Sequence, residues 1–212
     1  MTQVLEIGDK LRTIIIASLF IALPLAGEAQ HFIGIKEGVS KSSVQFKPEQ
    51  QKDSALIQWL NIGLVYKYYN SPWVGLQTGL NYAERGFGRN DTLRKYKVIE
   101  LPLLSQFHYE TWHLRFMINA GVYASYVLSG EEICVVRKTT AKYEFTDRDR
   151  RLEYGLHAGA GIGIIFKPFE LQFEGGYQFS FSYVMEPKYK NEPILYTHFS
   201  RWMLSVALLF QL

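Results

Sequence analysis

The feature that most constrains this chain is a two-residue alternation of apolar and polar side chains. It is clearest over residues 171–184, where Leu, Phe, Tyr and Gly occupy the odd positions and Gln, Glu, Ser and Gly occupy most of the even ones. An α-helix would spread both sets around its circumference, whereas a β-strand points successive side chains to opposite faces. The segment is therefore predicted to be a strand with one apolar and one polar face.

Seven other segments show the same alternation, so we predict eight strands in all. The predicted strands cover residues 31–39, 56–69, 73–85, 96–109, 113–129, 152–166, 171–184 and 198–212. The first is the weakest, because only Ile33, Ile35 and Val39 mark its apolar face. An even number of antiparallel strands can close into a ring that leaves no unpaired edge.

The links between the predicted strands alternate in length. Short turns are predicted at 70–72, 110–112 and 167–169, and long polar links at about 46–55, 88–94, 130–150 and 185–195. Tight turns at one end and long loops at the other are typical of outer-membrane barrels, whose termini lie in the periplasm. The fold predicted for residues 30–212 is thus all-β, an eight-stranded antiparallel up-and-down transmembrane β-barrel.

A soluble, lipocalin-like barrel is the alternative, since it also alternates but turns its apolar faces inward. The chain is 48% hydrophobic and 15% aromatic, and its polar faces carry Gly, Ser, Asn and Gln rather than the Lys and Glu of a solvated surface. Aromatic side chains cluster near both ends of the apolar faces, as they do at membrane–water interfaces. The predicted interface aromatics are Tyr66, Tyr68, Phe107, Tyr109, Phe166, Tyr183, Trp202 and Phe210. These features favour a barrel whose outer wall contacts outer-membrane lipid.

The first 29 residues have the order of a signal peptide. Lys10 and Arg12 precede an apolar run over 13–26, and a small-x-small triplet follows at 27–29. This order predicts cleavage after residue 29 and export, and for a barrel it predicts the outer membrane, with the barrel-assembly machinery as a partner. Cleavage removes two basic and three acidic residues, so the formal charge of +3 becomes +4, which is too mild and dispersed for a nucleic-acid partner.

The inward faces of the predicted barrel carry charges of both signs. Eight strands enclose an interior that side chains just fill, so no open, porin-like pore is expected. Because a charge buried alone is costly, we predict a paired polar network across the lumen. Its predicted members are Lys36, Lys67, Glu100, Arg115, Glu153, His157, Glu174 and Arg201. We interpret the network as structural, with a gate or a proton path as the alternative.

Enzymatic chemistry has one weak indication, the pair His198 and Ser200 near the outer rim of the last strand. Eight-stranded lipid A deacylases carry a similar His-x-Ser pair, but Asn follows it there and Arg201 follows it here. An acid partner for the imidazole is not identifiable from the sequence, and the single cysteine, Cys134, gives little support to a metal cluster. We therefore predict a non-enzymatic protein with no catalytic, cofactor-binding or metal-ligating residues. A lipid-A-modifying enzyme is the alternative.

The link over 130–150 is the first place to expect a binding surface, because loops carry function more often than scaffolds do. Its β-prone stretch from Ile133 to Val136 predicts a hairpin that extends the barrel wall, and its charges are mixed. A second alternative is therefore an adhesin or surface-binding barrel that acts through this loop.

Four short segments give the chain a resemblance to a known family. They are Gly75-Leu76-Gln77-Thr78-Gly79-Leu80-Asn81-Tyr82, Ile99-Glu100-Leu101-Pro102-Leu103-Leu104, Arg151-Leu152-Glu153-Tyr154-Gly155 and Leu171-Gln172-Phe173-Glu174-Gly175. On these the chain resembles the PorT-like outer-membrane β-barrel proteins of Bacteroidetes over essentially all of residues 30–212. The resemblance implies an accessory role in type IX protein secretion, with secretion-machine subunits as partners. It brings no catalytic or cofactor residues.

Overall fold

The structure is a computed structural model that describes residues 30–47, 54–89, 92–134, 136, 139–143, 145, 151–182 and 196–212. The predicted signal peptide over 1–29 and the predicted interface residue Tyr183 lie outside these residues. Within them, no helix has the length and apolar character that a membrane crossing requires. The regular structure that is described consists of strands.

Nine antiparallel strands are described, and eight of them close into a ring. The strands are β1 (Gln30–Lys47), β2 (Ser54–Tyr69), β3 (Val74–Arg89), β4 (Thr92–Thr111), β5 (Leu114–Cys134), β6 (Thr139–Lys142), β7 (Leu152–Phe166), β8 (Phe169–Ser180) and β9 (Tyr196–Gln211). Around the ring the order is β1, β2, β3, β4, β5, β7, β8 and β9, and β9 pairs again with β1. The short β6 pairs with the last residues of β5, where Cys134 lies opposite Thr139.

The ring confirms the predicted eight-stranded antiparallel barrel. Its outer wall is apolar and exposed, with Ile118 61% and Leu204 66% accessible, whereas polar side chains such as Lys67 and Asn119 are fully buried inside. A soluble domain would have the opposite arrangement, because water would face its outer side chains. The apolar face therefore points outward, and the lipocalin-like alternative does not fit.

The strands are longer than predicted at the long-loop end, and one predicted long link is wrong. A long polar loop was predicted over 88–94. Because β3 runs to Arg89 and β4 begins at Thr92, only two residues separate these paired strands. Main-chain hydrogen bonds hold strands together whatever the polarity of the side chains, so a polar stretch can continue a ladder. β8 departs the other way and ends at Ser180, before the predicted end at residue 184.

The wall of the barrel is uneven in height. β4 and β5 have 20 and 21 residues, whereas β8, two strands from β5 around the ring, has 12. β5 continues past the point where its pairing with β7 ends, at Tyr126 and Leu152, and its last residues pair with β6 instead. This β5–β6 hairpin extends the barrel wall and is the hairpin expected in the 130–150 link. The short connections lie at the opposite end, where Trp112 adopts a left-handed φ of 52° in the β4–β5 turn.

Closure of the ring leads to a simple expectation. A closed barrel keeps its compact shape in detergent until it is heated, because all its strands are hydrogen-bonded to two neighbours. We expect the unboiled protein to migrate faster than the boiled protein on a denaturing gel. Identical migration of the two samples would contradict a closed barrel.

Candidate functional site: the filled lumen

Side chains fill the lumen in layers. At the long-loop end lies a cluster that we call the aromatic lid, formed by Ala83, Phe87, Tyr96, Val98, Val127, Tyr143, Phe145 and Phe199. At the short-turn end lies an apolar layer formed by Phe32, Val65, Tyr69 and Leu209. Charged and amide side chains occupy the space between the two. The aromatic lid therefore covers the polar interior at the long-loop end, while the apolar layer at the short-turn end packs among the lowest polar side chains.

Glu100 on β4 is the centre of an outer charge cluster just below the aromatic lid. Arg85 Nη2 and Arg201 Nη2 donate to Glu100 Oε2 at 2.5 and 2.7 Å, and Gln178 Nε2 donates to Glu100 Oε1 at 2.9 Å. Arg85 Nη1 also donates to Glu153 Oε1 at 2.6 Å. Both carboxylates thus face a guanidinium, so neither acid is buried as an isolated charge.

A second group of polar side chains lies at mid-lumen around Glu174 on β8. Its Oε2 atom lies 3.4 Å from Lys36 Nζ, and its Oε1 atom lies 3.6 Å from His157 Nε2. One layer lower, the fully buried Lys67 donates from Nζ to Gln172 Oε1 at 2.5 Å. The second group therefore joins β1, β2, β7 and β8 across the interior.

Arg115 on β5 forms the lowest charged layer. It donates to Glu170 through Nη1 and to Glu110 Oε2 through Nη2, the second bond being 3.0 Å long. The guanidinium also lies over the rings of Tyr69 and Phe32, 4.4 and 5.3 Å from their centroids. Cation–π contacts of this kind stabilise a guanidinium most where water is excluded. Arg115 therefore links the charged layers to the apolar layer at the short-turn end.

Glycines on the inward faces make room for this network. A Cβ atom on Gly163 would lie 2.4 Å from Glu170 Oε1, and one on Gly176 would lie 3.0 Å from His157 Nε2. Larger residues at these positions would displace the charged side chains, because a closely packed interior has no spare volume. The cavity left at mid-lumen measures about 30 Å³, which corresponds to roughly one water molecule. The middle of the lumen is thus closely packed, whereas a larger cavity of about 580 Å³ lies at the short-turn end beside Tyr69, His108 and Arg115.

The structure places all eight predicted lumen residues on the inward face, but it does not join them into one network. Glu100, Glu153 and Arg201 belong to the outer charge cluster, and Lys36, His157 and Glu174 meet at mid-lumen. Lys67 and Arg115 pair with Gln172 and Glu170 instead. The arrangement is a stack of small ion-paired groups.

Two central members of these groups, Arg85 and Glu170, were not among the predicted residues. Both lie on the polar face of their strands. Arg85 is an even number of residues after Gln77, and Glu170 is an even number of residues before Gln172. Arg85 stands at the last position of its predicted strand, and Glu170 stands one residue before the start of its own. Extending the parity through the strand ends would have identified both.

His198 and Ser200, the pair considered for catalysis, each contact another part of the barrel wall. The Ser200 hydroxyl is hydrogen-bonded to the Ser43 hydroxyl at 3.0 Å and is buried. His198 Nδ1 lies 3.0 Å from the Ser180 carbonyl oxygen, and its ring stacks on Phe179. These contacts give both side chains structural partners at the junction of β1, β8 and β9. Among the described residues, no group of three potential metal ligands lies together.

The described interface aromatics lie on the outer wall. Phe107, Tyr109, Phe166, Trp202 and Phe210 are between 42% and 65% exposed, and Tyr66 and Tyr68 are partly exposed. Tyr66 and Phe210 flank the same residue of β1, Ile33, at the short-turn end. Trp202 lies next to Lys41 nearer the long-loop end. The aromatic rings thus occur at two heights on the wall.

Removing the mid-lumen acid gives a test of the structural interpretation. In Glu174→Ala, Lys36 loses the carboxylate that faces it, so we expect the free energy of unfolding to fall by about 1–3 kcal/mol. We expect no change in ion conductance, which planar-bilayer recordings would show. Unchanged stability together with altered conductance would favour a gate instead.

Comparison with known proteins agrees with this architecture. Residues 28–186 match the outer membrane protein beta-barrel domain family. OprG of Pseudomonas aeruginosa superposes with a TM-score of 0.55 at 11% identity, covering 87% of this chain and 96% of that one. Neisserial surface protein A superposes with a TM-score of 0.51 at 10% identity, covering 87% of this chain and 99% of that one. No curated protein sequence matches the chain.

The fold and the layered lumen define an outer-membrane β-barrel protein. The chain belongs to the outer membrane protein beta-barrel domain family, and its location is the outer membrane. In barrels of this class the short turns are periplasmic and the longer loops face the outside. The apolar layer around Phe32 is therefore periplasmic, and the aromatic lid lies at the outer end.

Proposed function

We propose that this protein is a non-enzymatic barrel that acts through its surfaces rather than through its lumen. The observation that carries the proposal is the outer charge cluster, in which Glu100 accepts hydrogen bonds from Arg85, Arg201 and Gln178 across the full width of the interior. A solute path would have to break these bonds and expose buried charges, at a cost of several kcal/mol per ion. A closed barrel in the outer membrane serves other molecules through its wall, its turns and its loops.

The role that we propose is an accessory of protein secretion, of the PorT-like, type IX kind. The support is the resemblance described above, of which Ile99-Glu100-Leu101-Pro102-Leu103-Leu104 is the most telling part. In the structure this segment has Glu100 as the centre of the outer charge cluster, while Leu101 and Leu103 face outward. The segment thus has one side chain bound within the lumen and others exposed on the lipid-facing wall. The proposed partners are subunits of the secretion machine.

A pull-down from native outer membranes tests this role. The full chain, tagged in its natural host, is solubilised in mild detergent and recovered, and the associated proteins are identified by mass spectrometry. We expect secretion-machine subunits in the eluate, and a tagged unrelated eight-stranded barrel serves as the control. Recovery of the same subunits with the control, or their absence from both samples, would contradict the accessory role.

A surface-binding role is the second candidate, and the β5–β6 hairpin favours it. The residues after β6 are fixed to the barrel, because Tyr143 and Phe145 pack into the aromatic lid and lie under the guanidinium groups of Arg94 and Arg151. The four residues of β6 are exposed, and binding residues often lie on loops that a rigid scaffold positions. Shortening it between Cys134 and Thr139 should abolish binding to cells or matrix while the barrel remains heat-modifiable.

A lipid-A-modifying activity remains the enzymatic alternative. The contacts of Ser200 and His198 with Ser43 and Ser180 support a structural role for the pair. Incubation of the purified barrel with lipid A tests the alternative directly. Hydrolysis that disappears in Ser200→Ala would establish an enzyme and contradict the proposed function.

A further inference from the structure

Between its two rows of aromatic side chains, the described part of the outer wall carries one carboxylate among apolar side chains. Glu37 on β1 is exposed on the same face as Ile35. Its paired neighbours are Ile62 on β2 and Val206 on β9, which are 50% and 42% exposed. The sequence pattern of this strand was weak because Glu37 interrupts its apolar face. The side chain therefore points away from the lumen network, toward the surroundings of the barrel.

Glu37 lies at the depth of the membrane interior. Four residues before it, Ile33 pairs with the periplasmic aromatics Tyr66 and Phe210, and four residues after it, Lys41 pairs with Trp202 of the outer aromatic row. Four residues of a tilted strand rise by roughly 10 Å along the barrel axis. Glu37 is therefore about midway between the two rows of aromatic side chains.

Within the described part of the chain, no hydrogen bond or ion pair reaches the Glu37 carboxylate, and its neighbours along the wall are apolar. Hydrocarbon offers neither a donor nor a cation, so a lipid-facing carboxylate is destabilising. Ionisable side chains inside the membrane are rare, and they usually pair with another group. Glu37 consequently lacks the partner that its position demands.

An apolar groove leads along the outer wall to Glu37. It is open to the surroundings of the barrel, has a volume of about 1300 Å³, and follows two neighbouring rows of paired residues around the barrel. The upper row runs Phe107, Ile118, Ala160, Gly175, Leu204 and Val39, and the lower row runs Tyr109, Phe116, Ile162, Phe173, Val206 and Glu37. Ala160 and Gly175 interrupt the upper ridge and form the floor of the groove. The groove is thus apolar along its length and acidic at one end.

We propose that this groove binds a membrane-embedded segment of another protein, one that carries an apolar ridge and a single Lys or Arg at the depth of Glu37. Charge complementarity selects this occupant. Lipid cations lie in the headgroup region, roughly 10 Å away from Glu37 along the strand. A second copy is unsuitable, because the described outward face between the aromatic rows offers no basic side chain. The inference rests on the proposed function, since it specifies how a closed accessory barrel holds a partner.

Site-directed photocrosslinking in native outer membranes tests the inference. The full chain, made in its natural host, carries p-benzoylphenylalanine at Val206 beside Glu37, or at Ile62 on its other side should the first variant fold poorly. The control carries the crosslinker at Leu103, which lies on β4, three strands away from β1; it is also halfway between the aromatic rows but does not line the groove. We expect a protein adduct of defined mass at the Glu37 site and only lipid adducts at Leu103.

Variants then separate the charge from the groove. Glu37→Leu removes an unfavourable carboxylate from the wall, so the barrel should fold at least as well while the adduct yield falls about tenfold or more. Glu37→Asp should retain most of the adduct. Gly175→Leu should also reduce it, because a Cβ there lies 3.5 Å from the Leu204 side chain, an ordinary contact, and the longer side chain fills the groove. Once the partner is identified, reversing both charges should restore the adduct.

The outcomes distinguish this inference from the proposed function. Lipid adducts alone at Val206 and Ile62, an adduct with a second copy, or a partner without a basic residue in its membrane segment would overturn the inference. Recovery of secretion subunits in the pull-down without a crosslinked partner at the groove would support the accessory role and contradict partner binding in the groove. A groove adduct with a basic membrane partner that is unrelated to secretion would support partner binding in the groove and contradict the proposed role in secretion.

Discussion

Glu100→Ala is expected to lower the free energy of unfolding by about 3–5 kcal/mol, because it leaves the buried guanidinium of Arg201 without its counter-charge and that of Arg85 with one carboxylate instead of two. Arg201 loses its 2.7 Å bond to the carboxylate, and Arg85 keeps only Glu153. Both arginines are almost fully buried, so water cannot replace the lost acceptor without opening the interior. Double replacement of Glu100 and Arg201 should recover part of the loss, since it removes a charge of each sign.

Urea titration of the barrel in phospholipid vesicles, followed by tryptophan fluorescence or by heat-modifiable migration, measures this effect. Glu131→Ala is the matched control, because Glu131 pairs with Lys97 at 3.0 Å but both side chains are more than a third exposed. Exposed ion pairs contribute little to stability. An equal loss in the two variants would show that the outer charge cluster is not the stabilising element described above.

Tyr96→Ala should remove about 3–5 kcal/mol as well, and it should also release the β5–β6 hairpin. The Tyr96 ring contacts four other rings of the aromatic lid, those of Phe87, Tyr143, Phe145 and Phe199. Without it, the two rings that follow β6 lose their main support in the barrel. We therefore expect trypsin, added to intact outer membranes, to cleave the variant protein after Lys142 much faster than the wild-type protein.

Tyr126→Ala is the control for this experiment, because Tyr126 is 47% exposed on the outer wall and pairs with Ile99, three residues along β4 from Tyr96. Its loss removes lipid contact and leaves the lid unchanged. We expect tryptic cleavage at the wild-type rate in this variant. Fast cleavage in both variants would mean that the hairpin is not held by the lid.

The face to which each side chain points could be predicted from the sequence, because in a strand that face depends only on parity. Phe173 and Glu174 illustrate this, since the alternation places them on opposite faces and the composition of the two faces assigns Phe173 to the outside. The number of strands and their closure followed from the same pattern. The segment 88–94 could not be assigned in this way, because a run of polar residues does not show where the hydrogen-bonded pairing of two strands ends.

The pairing of inward residues could not be predicted, because it depends on the stagger between strands. Glu100 meets Arg201 from 101 positions away and Arg85 from 15, and neither separation has a signature in the sequence. The height of each residue in the lumen is a property of the closed ring. Glu37 is a different case, because its parity was readable but the strand around it was too irregular to show that it faces lipid.

The pairing of the first strand of the ring with the last one constrains how the barrel enters the membrane. β1 and β9 are joined from Phe32–Gln211 to Lys47–Tyr196, so the cylinder has a seam between the two ends of the folding unit. An unsealed wall would present free amide and carbonyl groups to hydrocarbon, which cannot bind them. Insertion and sealing must therefore occur together, after β9 has reached the periplasm. We therefore expect the early strands to stay unfolded there until β9 arrives, with a chaperone that keeps their apolar side chains apart.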